Sequence, residues 1–161
     1  MPLKLRRVLH DINAIQAIEW YHTVFVDEAD IDILNFHDEP LALSVYNFEN
    51  RVRLLDELDE HVYFVLNSRG NVAGYACAYQ PRWEGYEMGR EFGIFIKNKY
   101  RNRGYGTKVI AALEALYDAP HILSPQTTNT AAIRLYEGLG YTAEATLVDS
   151  PMLLMRKLNL V

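Results

Sequence analysis

The chain has 161 residues, half of them hydrophobic, and a net charge of −5 at pH 7. This length and composition predict one domain, residues 1–161, with a substantial core. The negative charge argues against broad nucleic-acid binding, and no apolar run approaches the roughly 18 residues that a membrane-spanning helix needs. Because the N-terminus lacks a signal-peptide pattern, we expect a soluble, cytoplasmic protein. The single Cys77 excludes an internal disulfide, and the histidine spacing predicts no metal site.

Hydrophobic periodicity divides the first half of the chain into helices and strands. In chain order we predict a strand at 3–9, a helix at 11–25, an acidic irregular segment at 26–39, a helix at 41–58, and strands at 61–67 and 72–80. The last two strands are separated by Ser68-Arg69-Gly70-Asn71, whose turn-forming residues predict a hairpin.

The second half continues the alternation. We predict a strand at 87–97, a helix at 107–117, a short strand at 121–124, a helix at 130–138, and a closing pair of strands at 141–148 and 152–158. Pro125 directly follows the short strand, and a proline is tolerated there only if strand pairing has already stopped.

A basic, glycine-bearing turn follows the strand at 87–97. Arg101-Asn102-Arg103-Gly104-Tyr105-Gly106-Thr107 leads directly into a helix, whose first N–H groups are unpaired and lie at the positive end of the helix dipole. This combination predicts a seat for a phosphate or pyrophosphate. The pattern R-x-x-G-x-G differs from both G-x-x-x-x-G-K-[ST] and G-x-G-x-x-G, so neither common nucleotide-binding loop is present.

A second motif begins at Asn129 and reads N-T-A-A-I-R-L-Y-E-G-L-G-Y. Asn129 is a good helix N-cap, and the glycines at 138 and 140 predict the end of the helix. Asn129 and Tyr136 are seven residues apart, close to two helical turns, so they lie on nearly the same face.

Together these two motifs resemble the GNAT superfamily of acetyl-CoA-dependent N-acetyltransferases, which reads R/Q-x-x-G-x-G/A and then N-x-x-A-I-x-L-Y-x-x-x-G-F/Y. The resemblance covers about residues 87–158. It implies an α+β fold, with a mixed, mostly antiparallel central sheet of about seven strands flanked by helices. In this family the fourth and fifth strands splay apart, and acetyl-CoA lies in the gap as co-substrate.

The resemblance also implies roles for individual residues. The pyrophosphate would sit on the backbone around Arg103–Thr107 with Arg101 nearby, the pantetheine arm would pair with the backbone around Phe95, and Asn129 would contact the cofactor. The full set of cofactor-binding residues expected on this basis is Phe95, Ile96, Lys97, Arg101, Asn102, Arg103, Gly104, Tyr105, Gly106, Thr107, Asn129 and Tyr136.

Tyr136 is the predicted general acid, because a phenol beside the sulfur can protonate the departing thiolate. The alternative is a core aromatic at helical spacing. The resemblance also makes Glu91 the expected base, since family members often carry at this position an acidic residue that works through water. Glu87 is its alternative by strand alternation, although either could be a simple surface carboxylate. Cys77 lies among small strand residues without a neighbouring base, so a packed core thiol is favoured over a nucleophile.

The amine acceptor is not identified by the sequence. The family resemblance places its site near Trp20, Tyr21, the segment 26–46 and the loop 81–86, which contains Trp83 and Tyr86. It allows a small amine, a polyamine, an aminoglycoside, or a peptide or protein amine. A non-catalytic acyl-CoA sensor on the same fold remains the alternative function. In the resembled family, edge strands near the C-terminus are frequent dimer contacts, so the apolar strand at 152–158 is expected to form a homodimer contact if it lies at a sheet edge.

Overall fold

The computed structural model describes residues 3–8, 13, 15–17, 19–20, 52–54, 56–146 and 151–158. Seven strands occur in these residues: β1 (Lys4–Arg7), β2 (His61–Leu66), β3 (Val72–Tyr79), β4 (Arg90–Ile96), β5 (His121–Leu123), β6 (Thr142–Thr146) and β7 (Leu153–Lys157). Two helices are described from end to end, α1 (Tyr105–Leu116) and α2 (Thr130–Gly138). Residues 15–17, 19–20, 52–54 and 56–57 are also helical, in agreement with the predicted helices of the first half. The acidic segment at 26–39 and Tyr21 lie outside the described residues.

All seven strands join one sheet in the order β1-β2-β3-β4-β5-β7-β6. Every neighbouring pair is antiparallel except β4 and β5, which run parallel. The predicted α+β class, with a mostly antiparallel central sheet flanked by helices, is therefore confirmed. The predicted hairpin joins β2 and β3, where the Asn67 side chain accepts hydrogen bonds from the Arg69 and Asn71 backbone at 3.0 Å each.

The sheet opens between β4 and β5. The two strands pair only from Arg90–Phe92 to His121–Leu123, and β4 then continues to Ile96 without β5 beside it. Pro125 follows this divergence, and its carbonyl accepts a hydrogen bond from the Leu153 N–H at 2.8 Å. The proline is tolerated because the β4–β5 ladder has already ended, as the sequence argument requires.

Both faces of the sheet are covered by packed side chains. On one face, α1 contributes Val109, Ile110 and Leu113, each at most 1% exposed, to the main hydrophobic cluster. On the other face, Val62, Phe64 and Cys77 pack with residues of the first helical segments, including Ala17 and Val52. Successive side chains of β3 and β4 point alternately into the two clusters, which the sheet keeps apart. The gap between β4 and β5 is therefore a connection between these two layers.

Three sequence predictions need correction. Strand β4 begins at Arg90, so Glu87 lies in the preceding loop and strand alternation does not align it with Glu91. Strand β7 is paired on both sides, by β5 and β6, so the proposed dimer contact through an exposed β7 edge loses its basis. Helix α1 begins at Tyr105, two residues earlier than predicted. In the described residues, no helix is long and apolar enough to cross a membrane.

Candidate active site

A cavity of about 560 Å³ occupies the gap between β4 and β5. Its wall combines residues of both sheet faces with the segment that follows β5. The lining residues are Tyr75, Cys77, Tyr79, Phe92, Gly93, Ile94, Phe95, Ile96, Arg101, Leu123, Ser124, Pro125, Gln126, Thr128, Asn129, Tyr136 and Met152. Through this cavity, a molecule bound on the side of α1 and α2 can contact groups on the opposite face of the sheet.

The backbone of β4 forms one wall of this cavity. The Arg90 N–H bonds Pro120 on the β5 side at 3.0 Å, and the Lys97 N–H bonds Ala73 on the β3 side at 2.8 Å. Because strand backbones alternate with period two, the N–H groups of Ile94 and Ile96 point into the gap. Past Phe92 no strand among the described residues pairs with this side of β4, so these groups are suited to pair with an extended amide-bearing ligand.

Helix α1 begins four residues after Arg101, which lines the cavity. Gly104 is its N-cap with φ +81°, Asn102 has φ +61°, and no side chain caps the helix. The backbone N–H groups of residues 105–107 are thus left for an anion, and no acidic residue lies in the first turn. The Tyr105 side chain is buried against Tyr100, so only its backbone can serve the seat.

Arg101 connects the anion seat to the cavity. Its Nε donates to the Ile96 carbonyl at 2.8 Å, and its guanidinium lies 5.2 Å from the centroid of the Phe95 ring. These contacts hold a positive charge at the cavity rim, where a phosphate would approach the helix N-terminus. Lys97, by contrast, is buried and absent from the lining, and its backbone N–H bonds Ala73 of β3, so neither its side chain nor its N–H faces the cavity.

Helix α2 supplies Asn129 and Tyr136 to the cavity. The Asn129 Oδ1 accepts a hydrogen bond from the Ala132 N–H at 3.2 Å, which leaves the amide NH₂ to donate to a ligand. Tyr136 lies two turns further along the same face and also lines the cavity. Burial raises the pKa of the Tyr136 phenol, so the hydroxyl keeps its proton well beyond neutral pH. A protonated phenol is the form that a general acid requires.

Glu91 has a different environment from the one predicted. It is only 2% exposed and does not line the cavity. Its Oε2 accepts a hydrogen bond from Arg82 Nη2 at 2.8 Å in an ion pair, and the Arg82 backbone N–H approaches its Oε1 at 3.4 Å. This geometry favours a structural carboxylate that holds the loop after β3. Glu87, the alternative, lies in that loop and accepts a hydrogen bond from the Gly85 N–H at 2.9 Å.

The opposite side of the cavity is formed by β3. Tyr75, Cys77 and Tyr79 alternate along one face of the strand, and Gly93 of β4 pairs with Cys77. A Cβ at Gly93 would lie 3.3 Å from the Tyr79 ring, so the missing side chain lets the ring lie against β4. Burial raises the pKa of the Cys77 thiol to about 11, which agrees with a packed thiol and not a nucleophile.

The aromatic residues predicted for the acceptor are dispersed. Trp83 is buried with Ile122 and Leu154, and its Nε1 donates to Ser124 Oγ at 3.0 Å. Tyr86 packs beside this cluster, with the Arg156 guanidinium 5.1 Å from its ring centroid. Trp20 makes an edge contact with Phe64 at 5.3 Å. None of these three lines the described cavity, although Trp83 supports it through Ser124.

Sequence reasoning overlooked the β3 wall. The alternation of Tyr75, Cys77 and Tyr79 was visible in the sequence, but the pairing of Cys77 with Gly93 was needed to place these residues at the gap. Ser124, Gln126 and Thr128 were also missed, because they follow β5 in a segment without a motif of its own.

Comparison with known proteins identifies the family. Residues 16–141 match the model of the acetyltransferase (GNAT) family, and this match covers most of the chain. The protein therefore belongs to the GNAT acetyltransferase family and is an acetyltransferase of that class. No curated protein sequence gives a significant match.

Solved structures of low sequence identity share the fold. A spermidine N-acetyltransferase from Vibrio cholerae, in complex with CoA and spermine, aligns with a TM-score of 0.68 at 17% identity, over 96% of this chain and 92% of that chain. The aminoglycoside acetyltransferase AAC(6′)-Ib, in complex with coenzyme A and kanamycin, aligns with a TM-score of 0.69 at 21% identity, over 98% of this chain and 95% of that chain.

Proposed function

We propose that this protein transfers the acetyl group of acetyl-CoA directly to a primary amine. The observation that carries the proposal is the cavity in the open sheet, which is lined by the unpaired edge of β4, by Arg101 of the turn before α1 and by Tyr136 of α2. These three features match the three parts of acetyl-CoA, namely the pyrophosphate, the amide-bearing arm and the thioester.

The proposed cofactor contacts follow the site geometry. The N–H groups at the start of α1 and the Arg101 guanidinium would bind the pyrophosphate. The backbone of Ile94 and Ile96 would pair with the amides of the pantetheine arm, which refines the sequence prediction by one residue. The Asn129 amide is free to donate to the same arm, because its oxygen alone caps α2.

In the proposed reaction, the free amine nitrogen forms a bond to the thioester carbonyl carbon, the carbon–sulfur bond breaks, and the proton that the nitrogen loses as the amide forms passes to water. Tyr136 donates its phenolic proton to the departing thiolate. An ordinary thiol has a pKa near 8.5, and burial raises the pKa of Tyr136 above the usual tyrosine value near 10, so complete proton transfer is unfavourable on its own. The phenol therefore first donates a hydrogen bond to the sulfur, and the proton follows as negative charge develops there. Water reaching the cavity then returns the proton to Tyr136.

The acceptor amine must lose its proton before attack. In the part of the cavity wall that the structure describes, no carboxylate and no imidazole is present. Burial raises the pKa of both Cys77 and Tyr79, so their thiolate and phenolate forms are scarcely populated near neutral pH. Neither group is therefore suited to act as the base. We therefore infer that the amine passes its proton to water and reacts as the free base, while Glu91 holds Arg82.

A small or flexible amine is the proposed acceptor class. The similar structures contain spermine and kanamycin, and both of these molecules carry primary amines. The acidic segment at 26–39 would attract cationic acceptors of this kind. Peptide and protein amines remain alternatives that the acceptor screen distinguishes.

The test is a thiol-release assay with acetyl-CoA against polyamines, aminoglycosides, amino acids and peptides. We expect at least one amine to stimulate CoA release, with mass spectrometry showing one acetyl group on the acceptor nitrogen. Calorimetry on the same protein separates the alternatives. Acetyl-CoA binding without transfer to any acceptor would favour a sensor, and absence of binding would contradict the proposal.

A further inference from the structure

Helix α2 ends in a motif that ties Tyr136 to Tyr141. The Tyr141 N–H donates to the Tyr136 carbonyl at 3.0 Å, and the Gly140 N–H donates to the Glu137 carbonyl at 3.1 Å. Gly140 has φ +97°, the left-handed conformation that this Schellman arrangement requires. The position of the Tyr136 backbone therefore depends directly on the residue after the glycine.

The two tyrosines also contact each other through their rings. The ring centroids lie 6.4 Å apart with the planes tilted by 57°. Tyr141 is 2% exposed, whereas Tyr136 lines the cavity, so Tyr141 forms the buried support against which Tyr136 packs. A side-chain contact between these two positions commonly accompanies the Schellman motif.

The Tyr141 hydroxyl anchors this support to α1. It donates to Glu114 Oε2 at 3.0 Å, and Lys157 Nζ of β7 lies 3.0 Å from the same oxygen. His121, which is fully buried, places its Nδ1 3.8 Å from that oxygen. Burial and the Glu114 carboxylate raise the pKa of the Tyr141 phenol, so it remains a donor. The Lys157 chain also closes over Gly140, where a Cβ would meet its Cε at 3.4 Å.

From this arrangement we propose that Tyr141 is a positioning residue for Tyr136, and that Glu114 and Lys157 fix its orientation. The inference rests on the proposed role of Tyr136. Tyr141 then links two helices. Through Glu114 it is bonded to α1, the helix proposed to bind the pyrophosphate, and through Tyr136 it is bonded to α2, the helix that carries the proposed general acid. Tyr141 itself touches no reacting atom, and its effect on catalysis passes entirely through the placement of the Tyr136 hydroxyl.

Two variants separate positioning from general stability. Tyr141→Phe keeps the ring and removes the hydroxyl that bonds Glu114. Tyr63→Phe is the matched control, since Tyr63 is also a buried tyrosine of the same cluster, and its hydroxyl bonds Tyr117 at 2.6 Å, away from the cavity. Both variants lose one hydroxyl hydrogen bond, and Tyr141→Phe should lose somewhat more stability in thermal unfolding than Tyr63→Phe, because its partner is a charged carboxylate.

The first measurement is an NMR comparison that does not depend on enzymatic activity. With ¹³C-labelled tyrosine, the NMR signals of the Tyr136 ring are assigned by their loss in Tyr136→Phe. We expect Tyr141→Phe to shift these signals or speed the ring flips, and Tyr63→Phe to leave them unchanged. Tyr136 signals that are the same in Tyr141→Phe and wild type would overturn the inference, whatever the outcome of the acceptor screen.

The second readout is a double-mutant cycle on a verified acceptor. Tyr141→Phe should lower kcat about 10-fold with acetyl-CoA affinity unchanged, because a small displacement of a catalytic group slows the chemical step. In the Tyr136→Phe background the same change should have almost no effect on kcat. Equal losses in both backgrounds would overturn the positioning role. If wild-type protein acetylates no acceptor, the proposed function fails, and the NMR comparison still decides the positioning of Tyr136.

Discussion

The anion seat at the start of α1 makes a prediction that isolates charge from backbone strain. Gly104 has φ +81°, and a Cβ placed there would meet no atom within 4 Å. Gly104→Gln therefore costs only the left-handed strain, about 1–2 kcal/mol of folding stability. Gly104→Glu has nearly the same shape and the same strain, but it adds a carboxylate where the pyrophosphate would bind.

The size of the charge effect follows from Coulomb's law. Two like charges about 4 Å apart repel by about 1 kcal/mol in bulk water and about 4 kcal/mol at an effective dielectric of 20. The seat is exposed, so the effect lies toward the lower part of this range, yet a pyrophosphate carries more than one charge. We expect Gly104→Glu to bind acetyl-CoA at least about 10-fold more weakly than Gly104→Gln, with each tenfold equal to about 1.4 kcal/mol.

Isothermal titration calorimetry at two salt concentrations is the assay. The difference between the two variants should shrink at high salt, because exposed charges are screened. Gly70 gives the control pair, since it has φ +80° and similarly open space but lies in the β2–β3 turn. Equal affinities for Gly104→Gln and Gly104→Glu, or a matching loss in the Gly70 pair, would refute the seat.

Further predictions concern the remaining parts of the site. Glu91→Gln should lower kcat/KM less than about 10-fold and leave its pH profile unchanged, whereas a 10²–10⁴-fold loss with an altered acidic limb would show that Glu91 is the base. With the native enzyme, kcat should rise as the pH increases through the pKa of the acceptor amine, and it should fall only above the usual tyrosine range, because burial raises the pKa of Tyr136; a fall near pH 8 would contradict this. Cys77, with its thiol pKa at about 11, should react with iodoacetamide at pH 8 roughly 100-fold more slowly than in denatured protein. Trp83→Ala should lower the free energy of unfolding by about 3–5 kcal/mol, measured by urea denaturation, and a loss below about 1 kcal/mol would show that the buried ring contributes little.

Local signals in the sequence were sufficient for the α2 motif. Asn129 caps the helix, Thr130–Gly138 forms it, and Gly140 ends it, as the residue types indicate. Each of these signals acts within a few residues, so no knowledge of the tertiary fold was needed. The order of the elements follows from similar local signals, whereas the divergence of β4 and β5 before Pro125 was predicted from the family resemblance.

Long-range contacts explain what the sequence did not reveal. Strand β4 starts at Arg90, where the chain passes so close to Pro120 that a Cβ at Gly89 would overlap the Pro120 carbonyl oxygen. Trp83 is buried by contacts with Ser124, 41 residues away, which its loop position could not indicate. The burial of Glu91 under Arg82 likewise follows from how the loop after β3 folds back.

The central claim is that acetyl transfer occurs in the open sheet with Tyr136 as the acid, and one comparison tests it most directly. Steady-state kinetics and calorimetry are measured for wild type and Tyr136→Phe with the best acceptor from the screen. Tyr136→Phe should lower kcat and kcat/KM by about 10²-fold, the lower end for general acid catalysis, with acetyl-CoA affinity unchanged. Full turnover in Tyr136→Phe, or a loss of acetyl-CoA affinity equal to the loss of kcat/KM, would contradict the account.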